Sequence, residues 1–263
     1  MRLYPLKDFE SSKRKVVIGL LAIAIAMLPL SIAPIASAQT GGNQGASRTY
    51  TTKFPLIENP ISDGGNWING KAVDLDWTDV QTTPGLAFGT ESGTNGYDDS
   101  TALLAGAWGP DQTVEATVHS VNQNDNIYEE VELRLRSALS AHKATGYEIN
   151  FRCSRTMNAY TQIVRWNGPL GNFTYVASKG GSKYGVANGD TVKATIVGNV
   201  ITVYINGAQV LQATDNTFAS GSPGMGFFLQ GATGVNGDYG FTGFSASDGS
   251  APAAPTNLSA SPH

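Results

Sequence analysis

Residues 196–210 read IVGNVITVYINGAQV, a β-branched run from Val200 to Ile205 bracketed by two pairs of turn formers, Gly198-Asn199 and Asn206-Gly207. If Gly198-Asn199 is a two-residue turn, Val197 opposes Val200 and Ile196 opposes Ile201. One face then collects Val192, Ala194, Ile196, Ile201, Val203 and Ile205, all apolar. The other collects Thr191, Lys193, Thr195, Val197, Val200, Thr202 and Tyr204, a mixed surface that tolerates water. The second turn continues the sorting by adding Ala208 and Val210 to the apolar side. A three-stranded antiparallel meander follows.

Outward from this stretch the hydrophobic period stays near two. Strands are expected near 72–77, 113–121, 129–137, 145–153, 160–166, 173–178, 190–197, 200–206, 208–213, 224–230 and 239–247. In YEEVELRLR, Val131, Leu133 and Leu135 alternate with Glu130, Glu132, Arg134 and Arg136; in GYEINFRC, Tyr147, Ile149, Phe151 and Cys153 alternate with Glu148, Asn150 and Arg152. Val114, Ala116 and Val118 alternate likewise with Glu115, Thr117 and His119. Ser137–Ala144 is too short and uncapped for a helix and reads as a loop. Many strands separated by Gly, Asn and Asp give an all-β fold, two antiparallel sheets packed as a jelly-roll sandwich.

The ends differ in character. Basic residues up to Lys15, an apolar stretch from Val16 to about Ile35 and Ala36-Ser37-Ala38 form a signal-peptide pattern, so residues 1–38 are expected to be removed on secretion to an extracellular or periplasmic place. Residues 39–47 read as a flexible leader, 48–248 as the sandwich domain and 249–263 as a Pro/Ala/Ser-rich tail. After cleavage no membrane span is expected, and the protein reads as a monomer. A net charge of -4 with no basic block beyond Lys13-Arg14-Lys15 excludes a phosphate-tracking surface, hence nucleic acid as a partner. The single cysteine, Cys153, rules out an intrachain disulfide and reads as a buried thiol.

The runs GYEINFR, YTQIVRWNGPLGNFTYVA, GDTVKATIVGNVITVYINGAQV and GMGFFLQG with FTGFSASD, spread over residues 60–247, resemble the concanavalin A-like/laminin G-like jelly roll of secreted carbohydrate-binding and carbohydrate-active proteins. The resemblance implies contact with an extracellular glycan or polysaccharide. It does not choose between lectin, glycoside hydrolase and polysaccharide lyase.

The chemistry therefore has to come from the polar face. Glu130 and Glu132 point the same way about 7 Å apart. Glu115 or Glu148 is the expected cross-strand neighbour at about 5 Å between Cβ atoms. Carboxylates so spaced suit glycoside hydrolysis, but Arg134 stands where hydrolases of this superfamily carry a third carboxylate. Its guanidinium is expected to hold Glu132 ionised within a solvated or sugar-binding ladder. Candidate catalytic residues are Glu130, Glu132, Glu148 and His119. Candidate substrate-binding residues are Arg134, Arg136, Asn150, Arg152, Gln162, Trp166 and Tyr128, with Trp108 and Tyr160 as further stacking faces. A lyase would use Arg134, Arg136, Arg152 and Gln162 to neutralise a uronate, with His119 or Tyr147 as base, though the histidine that alginate lyases place after a Gln-Ile pair has no counterpart. Trp67 and Trp77 are expected to close the amino-terminal edge of the core.

No zinc spacing, P-loop, dinucleotide fingerprint or nucleophile elbow calls for a cofactor. Asp98-Asp99 and Asn236–Asp238 offer oxygen ligands for a structural calcium, although such residues serve turns equally well. The leading reading is a glycan-binding jelly roll, the alternative a polysaccharide-degrading enzyme, and the third a structural or adhesion module.

Overall fold

The computed structural model describes residues 47–94, 96–231 and 233–249. The expected signal peptide, the leader up to residue 46 and the tail from residue 250 lie outside the described residues. Among the described residues there are fifteen strands: β1 Arg48–Thr52, β2 Trp67–Asn69, β3 Gln81–Thr83, β4 Leu86–Phe88, β5 Ser100–Leu104, β6 Gln112–Ser120, β7 Tyr128–Ser140, β8 Lys143–Arg152, β9 Tyr160–Gly168, β10 Phe173–Gly180, β11 Thr191–Val197, β12 Val200–Ile205, β13 Ala208–Thr214, β14 Ser222–Gln230 and β15 Tyr239–Asp248. They form two antiparallel sheets. The eight-stranded sheet runs β13-β12-β11-β6-β15-β4-β3, with β1 also paired to β15; the seven-stranded sheet runs β10-β9-β8-β7-β14-β5-β2.

The core lies between the sheets. Val114, Ala116, Val118, Ile196, Ile201 and Val203 from the eight-stranded sheet meet Val131, Leu133, Ile149, Phe151, Met225 and Phe227 from the other, and all are buried in one cluster. At roughly 1.5–3 kcal/mol for each fully buried large aliphatic or aromatic side chain, this cluster is the main favourable contribution to folding. Cys153 faces the same core, and burial pushes its thiol well above the ordinary value.

The first turn has the expected register: Val197 pairs with Val200 and Ile196 with Ile201. The second turn also forms, with Asn206 and Gly207 both in the left-handed region at φ 51° and 77°. A bulge then shifts the register, so that Val203 pairs with Leu211 and Ile201 with Ala213. Leu211 therefore packs into the core, Val210 packs against it half-buried as expected, and Ala208 is exposed.

Other expectations fail for identifiable reasons. Residues 72–77 are not a strand: Asn69 caps a short 3-10 turn, Gly70–Val73, through Ala72 N, and Asp74 follows in the left-handed region. Ser137–Ala144 is not a loop, because β7 runs on to Ser140 and turns at His142, φ 58°, into β8. The sequence reading missed β1 to β5. They are three to five residues long and take their place from partner strands, not from an alternating pattern of their own. Trp67 joins the main core, while Trp77 packs with Leu75 and Trp166 in a second, smaller cluster behind β9. Among the described residues no helix is long and apolar enough to cross a membrane.

Candidate functional site

The pleat of the seven-stranded sheet sends Val131 and Leu133 inward, and so turns Glu130, Glu132 and Arg134 to the opposite face. There they meet β8 directly: Glu130 opposes Arg152, Glu132 opposes Asn150 and Arg134 opposes Glu148. Gln162 on β9 opposes Asn150 in turn, and Phe228 and Gly226 on β14 oppose Glu130 and Glu132. A groove of about 250 Å³ lies over this face, bordered by Tyr97, Tyr128, Phe173 and Tyr175. Tyr97, Tyr128 and Tyr175 are 51%, 41% and 56% exposed, so their rings form a rim open to solvent.

The floor beneath is buried. Arg134 is its centre: Nη2 donates to Glu132 Oε2 at 2.7 Å and to Thr101 Oγ1 at 3.2 Å, lies 3.5 Å from Asp99 Oδ2, and Nη1 pairs with Glu148. Glu148 also accepts from Trp166 Nε1 at 2.6 Å. Gly226 makes room for the network, because a Cβ there would overlap Glu132 Oε2 and lie 2.9 Å from Arg134 Nη2. Arg152 donates to the carbonyls of Asp125 and Ile127 at 2.8 and 3.2 Å, with its guanidinium 3.9 Å under the Tyr128 ring. Glu132 Oε1 and Asn150 Oδ1 are buried without a hydrogen-bond partner.

These positions correct the solvated-ladder expectation. Desolvation, then the charges of Asp99 and Glu148, outweigh Arg134 and push Glu132 well above the carboxylate range. Asp99 moves the same way, first through burial and then through Glu148. Burial also pushes Glu130 up to about 7, opposed by the hydrogen bond from Tyr160. The oxygens of Asp99, Glu132 and Glu148 lie within 4.8 Å of one another, spacing that a cation would bridge. Arg134 reaches all three carboxylates and supplies that positive charge itself.

Glu130, Glu132, Glu148, Asn150, Gln162, Trp166 and Tyr128 all line the groove, and Arg134 and Arg152 support it from below. The remaining candidates do not come together with them. His119 and Glu115 lie on β6 in the other sheet, where Glu115 opposes Lys193. Arg136 leaves the face because the β7 register shifts after Leu135 and its own φ is 45°; it donates to the carbonyls of Pro110, Phe218 and Gly198. Trp166 is 2% exposed and edge-on to Trp77 and Phe173, which leaves no free face for stacking. Trp108 is buried under Arg48, outside the groove. Tyr147 reaches Asp215 at 2.7 Å from a core position.

The sequence reading missed Tyr97, Phe173, Tyr175, Phe228 and Gln230. It noted Asp99 only as a calcium ligand. The β10 pattern alternates Phe173 and Tyr175, a signal that would have found two of them. Of the other calcium candidates, Asn236 donates its amide to the Glu91 carbonyl at 2.7 Å, a loop-fixing role.

No family model matches the chain, and no curated protein does. Solved structures do match. The carbohydrate recognition domain of Emp46p in its metal-free form aligns with a TM-score of 0.52 at 14% identity, over 76% of this chain and 96% of that one. The exoplasmic/lumenal domain of VIP36 in its Ca2+/Man-bound form gives 0.52 at 11% identity, over 76% and 91%. With two antiparallel sheets in the same arrangement, the chain has the concanavalin A-like jelly-roll fold.

Proposed function

We propose that the protein binds a glycan in the groove of the seven-stranded sheet, outside the cytoplasm. The observation that carries the reading is a floor of buried polar groups that includes two oxygens without a hydrogen-bond partner, Glu132 Oε1 and Asn150 Oδ1, beneath a rim of exposed tyrosine rings. Sugar rings need both surfaces: hydroxyls that find fixed acceptors and an apolar face that lies on an aromatic ring. Two similarly folded domains give support, one a carbohydrate recognition domain and the other in a Ca2+/Man-bound form. The uronate-lyase alternative loses support, because among the described residues neither Lys nor Arg lines the groove, His119 lies in the other sheet and Tyr147 faces the core, which leaves only Gln162 of the residues expected to serve it.

A hydrolytic second reading rests on Glu130, whose carboxyl titrates at about 7 beside Tyr160 and so would hold a proton to donate. Against it, Arg134 lies between Glu132 and Glu148, where a nucleophile would have to be free. The test is a glycan array with a parallel reducing-sugar assay on the purified protein. Tyr175→Ala should weaken binding about tenfold at unchanged Tm, since it removes an exposed stacking face, and Tyr128→Ala should weaken it as much while lowering Tm, because it also uncovers the Arg152 guanidinium. Product release abolished by Glu130→Gln would replace binding with hydrolysis as the function. Full affinity in both tyrosine variants would sink the groove assignment.

A further inference from the structure

The groove is one-sided in charge and in hydrogen bonding. Asp99, Glu130, Glu132 and Glu148 line it, and among the described residues neither Lys nor Arg does. The two guanidiniums beneath are already engaged, Arg134 by three carboxylates and Arg152 by two carbonyls and the Tyr128 ring. Four carboxyl groups thus meet two cations, and burial keeps Asp99 and Glu132 protonated until a further cation favours their charged forms and releases the protons to solvent. Glu132 and Asn150 are directly opposed across β7 and β8, and each keeps a buried acceptor oxygen without a donor. A buried acceptor without a donor costs free energy until a donor arrives, and a charged donor satisfies it best.

We propose that the groove takes a glycan bearing a free amino group, with the ammonium seated between Glu132 Oε1 and Asn150 Oδ1. This deepens the glycan reading and rests on it. A protonated amine supplies both missing hydrogen bonds and balances the carboxyl excess, while the tyrosine rims attract the same cation through their ring faces. Acetylation would remove the charge and add bulk at the seat. A uronate would bring a fifth carboxyl group to four, a like-charge contact that selects against it.

The test is calorimetric titration of the purified protein with a glucosamine hexamer, its fully N-acetylated counterpart and a galacturonate hexamer at equal ionic strength. The amine should bind about tenfold or more tighter than the acetylated chain, and the uronate should not bind. Glu132→Gln should abolish the preference. Asn150→Asp keeps the shape, adds a charge and should widen it, which provides a second reading if Glu132→Gln does not fold. Equal or tighter binding of the acetylated hexamer, or of the uronate, overturns the amine seat and leaves glycan binding standing, as does a preference untouched in both variants. Absence of binding to all three and to a broad neutral array overturns both readings.

Discussion

Arg134 sets the charge balance of the groove floor. It is buried with Asp99, Glu132 and Glu148 around it, so replacing it by methionine keeps much of the volume but leaves carboxylates in a low-dielectric site. Arg134→Met should cost about 3–5 kcal/mol of unfolding free energy, the loss characteristic of breaking a buried pair from one side. On a solvated ladder the same change would cost about 1 kcal/mol or less, so a urea titration separates the two descriptions. The polar residues themselves were legible: alternation in YEEVELRLR and GYEINFRC put Glu130, Glu132, Glu148 and Asn150 on one face. Their burial was not, because the residues that cover them, Tyr97, Phe173, Tyr175 and Phe228, come from distant parts of the chain. Nor was the departure of Arg136, which depends on a bulge and one left-handed residue.

At the scale of elements, the meander of β11, β12 and β13 shows what short-range pattern can specify. One turn dipeptide, Gly198-Asn199, fixes the register between β11 and β12, and a one-residue slip would have exchanged the two faces. Val203 is fully buried, whereas Thr202 faces away from the core and accepts from Gln212 Nε2 at 3.0 Å. Val203→Ala should lower stability by about 2 kcal/mol through lost burial and the cavity left behind, and Thr202→Ala by clearly less. Equal losses in chemical denaturation, or a reversed order, would contradict this register. Pattern succeeded wherever a strand was long enough to show its period. It failed for β1 to β5, whose few residues are held by their partners, and at the β13 bulge, which no composition rule marks.

For the whole molecule, buried carboxyls set the pH response. Burial is the largest cause raising Glu129 and Glu130 to about 7 and Glu91 to about 9, from an ordinary value of 4.5. The folded chain therefore holds protons that the unfolded chain releases. Their stabilisation is fully present below the unfolded value and is lost as pH rises through 7 and then 9. In the opposite sense, Asp190 is held low despite its burial by hydrogen bonds from Asn206, Ala187 and Arg155, and Asp215 by Tyr147, Thr217 and Arg165, so stability also falls in strong acid. Urea midpoints should peak at about pH 4–5 and decline towards 9. A midpoint that climbs between about pH 5 and 9 would contradict the protonated state of these carboxyls.

The strand order also governs timing. β14 sits inside its sheet between β7 and β5, and β15 sits inside the other between β6 and β4. Both sheets are therefore split until Ser222–Asp248 is available, and the earlier strands on either side of the gap have no direct partner across it. β1 waits for β15 as well, through a pairing of Arg48 with Asp248. Contacts this distant in sequence are slow to form, and a growing chain holds exposed strand edges until they do. Closure thus waits for Ser222–Asp248: these strands are the wedges that join each sheet, and the strands before them stay pliable and unclosed until they are in place.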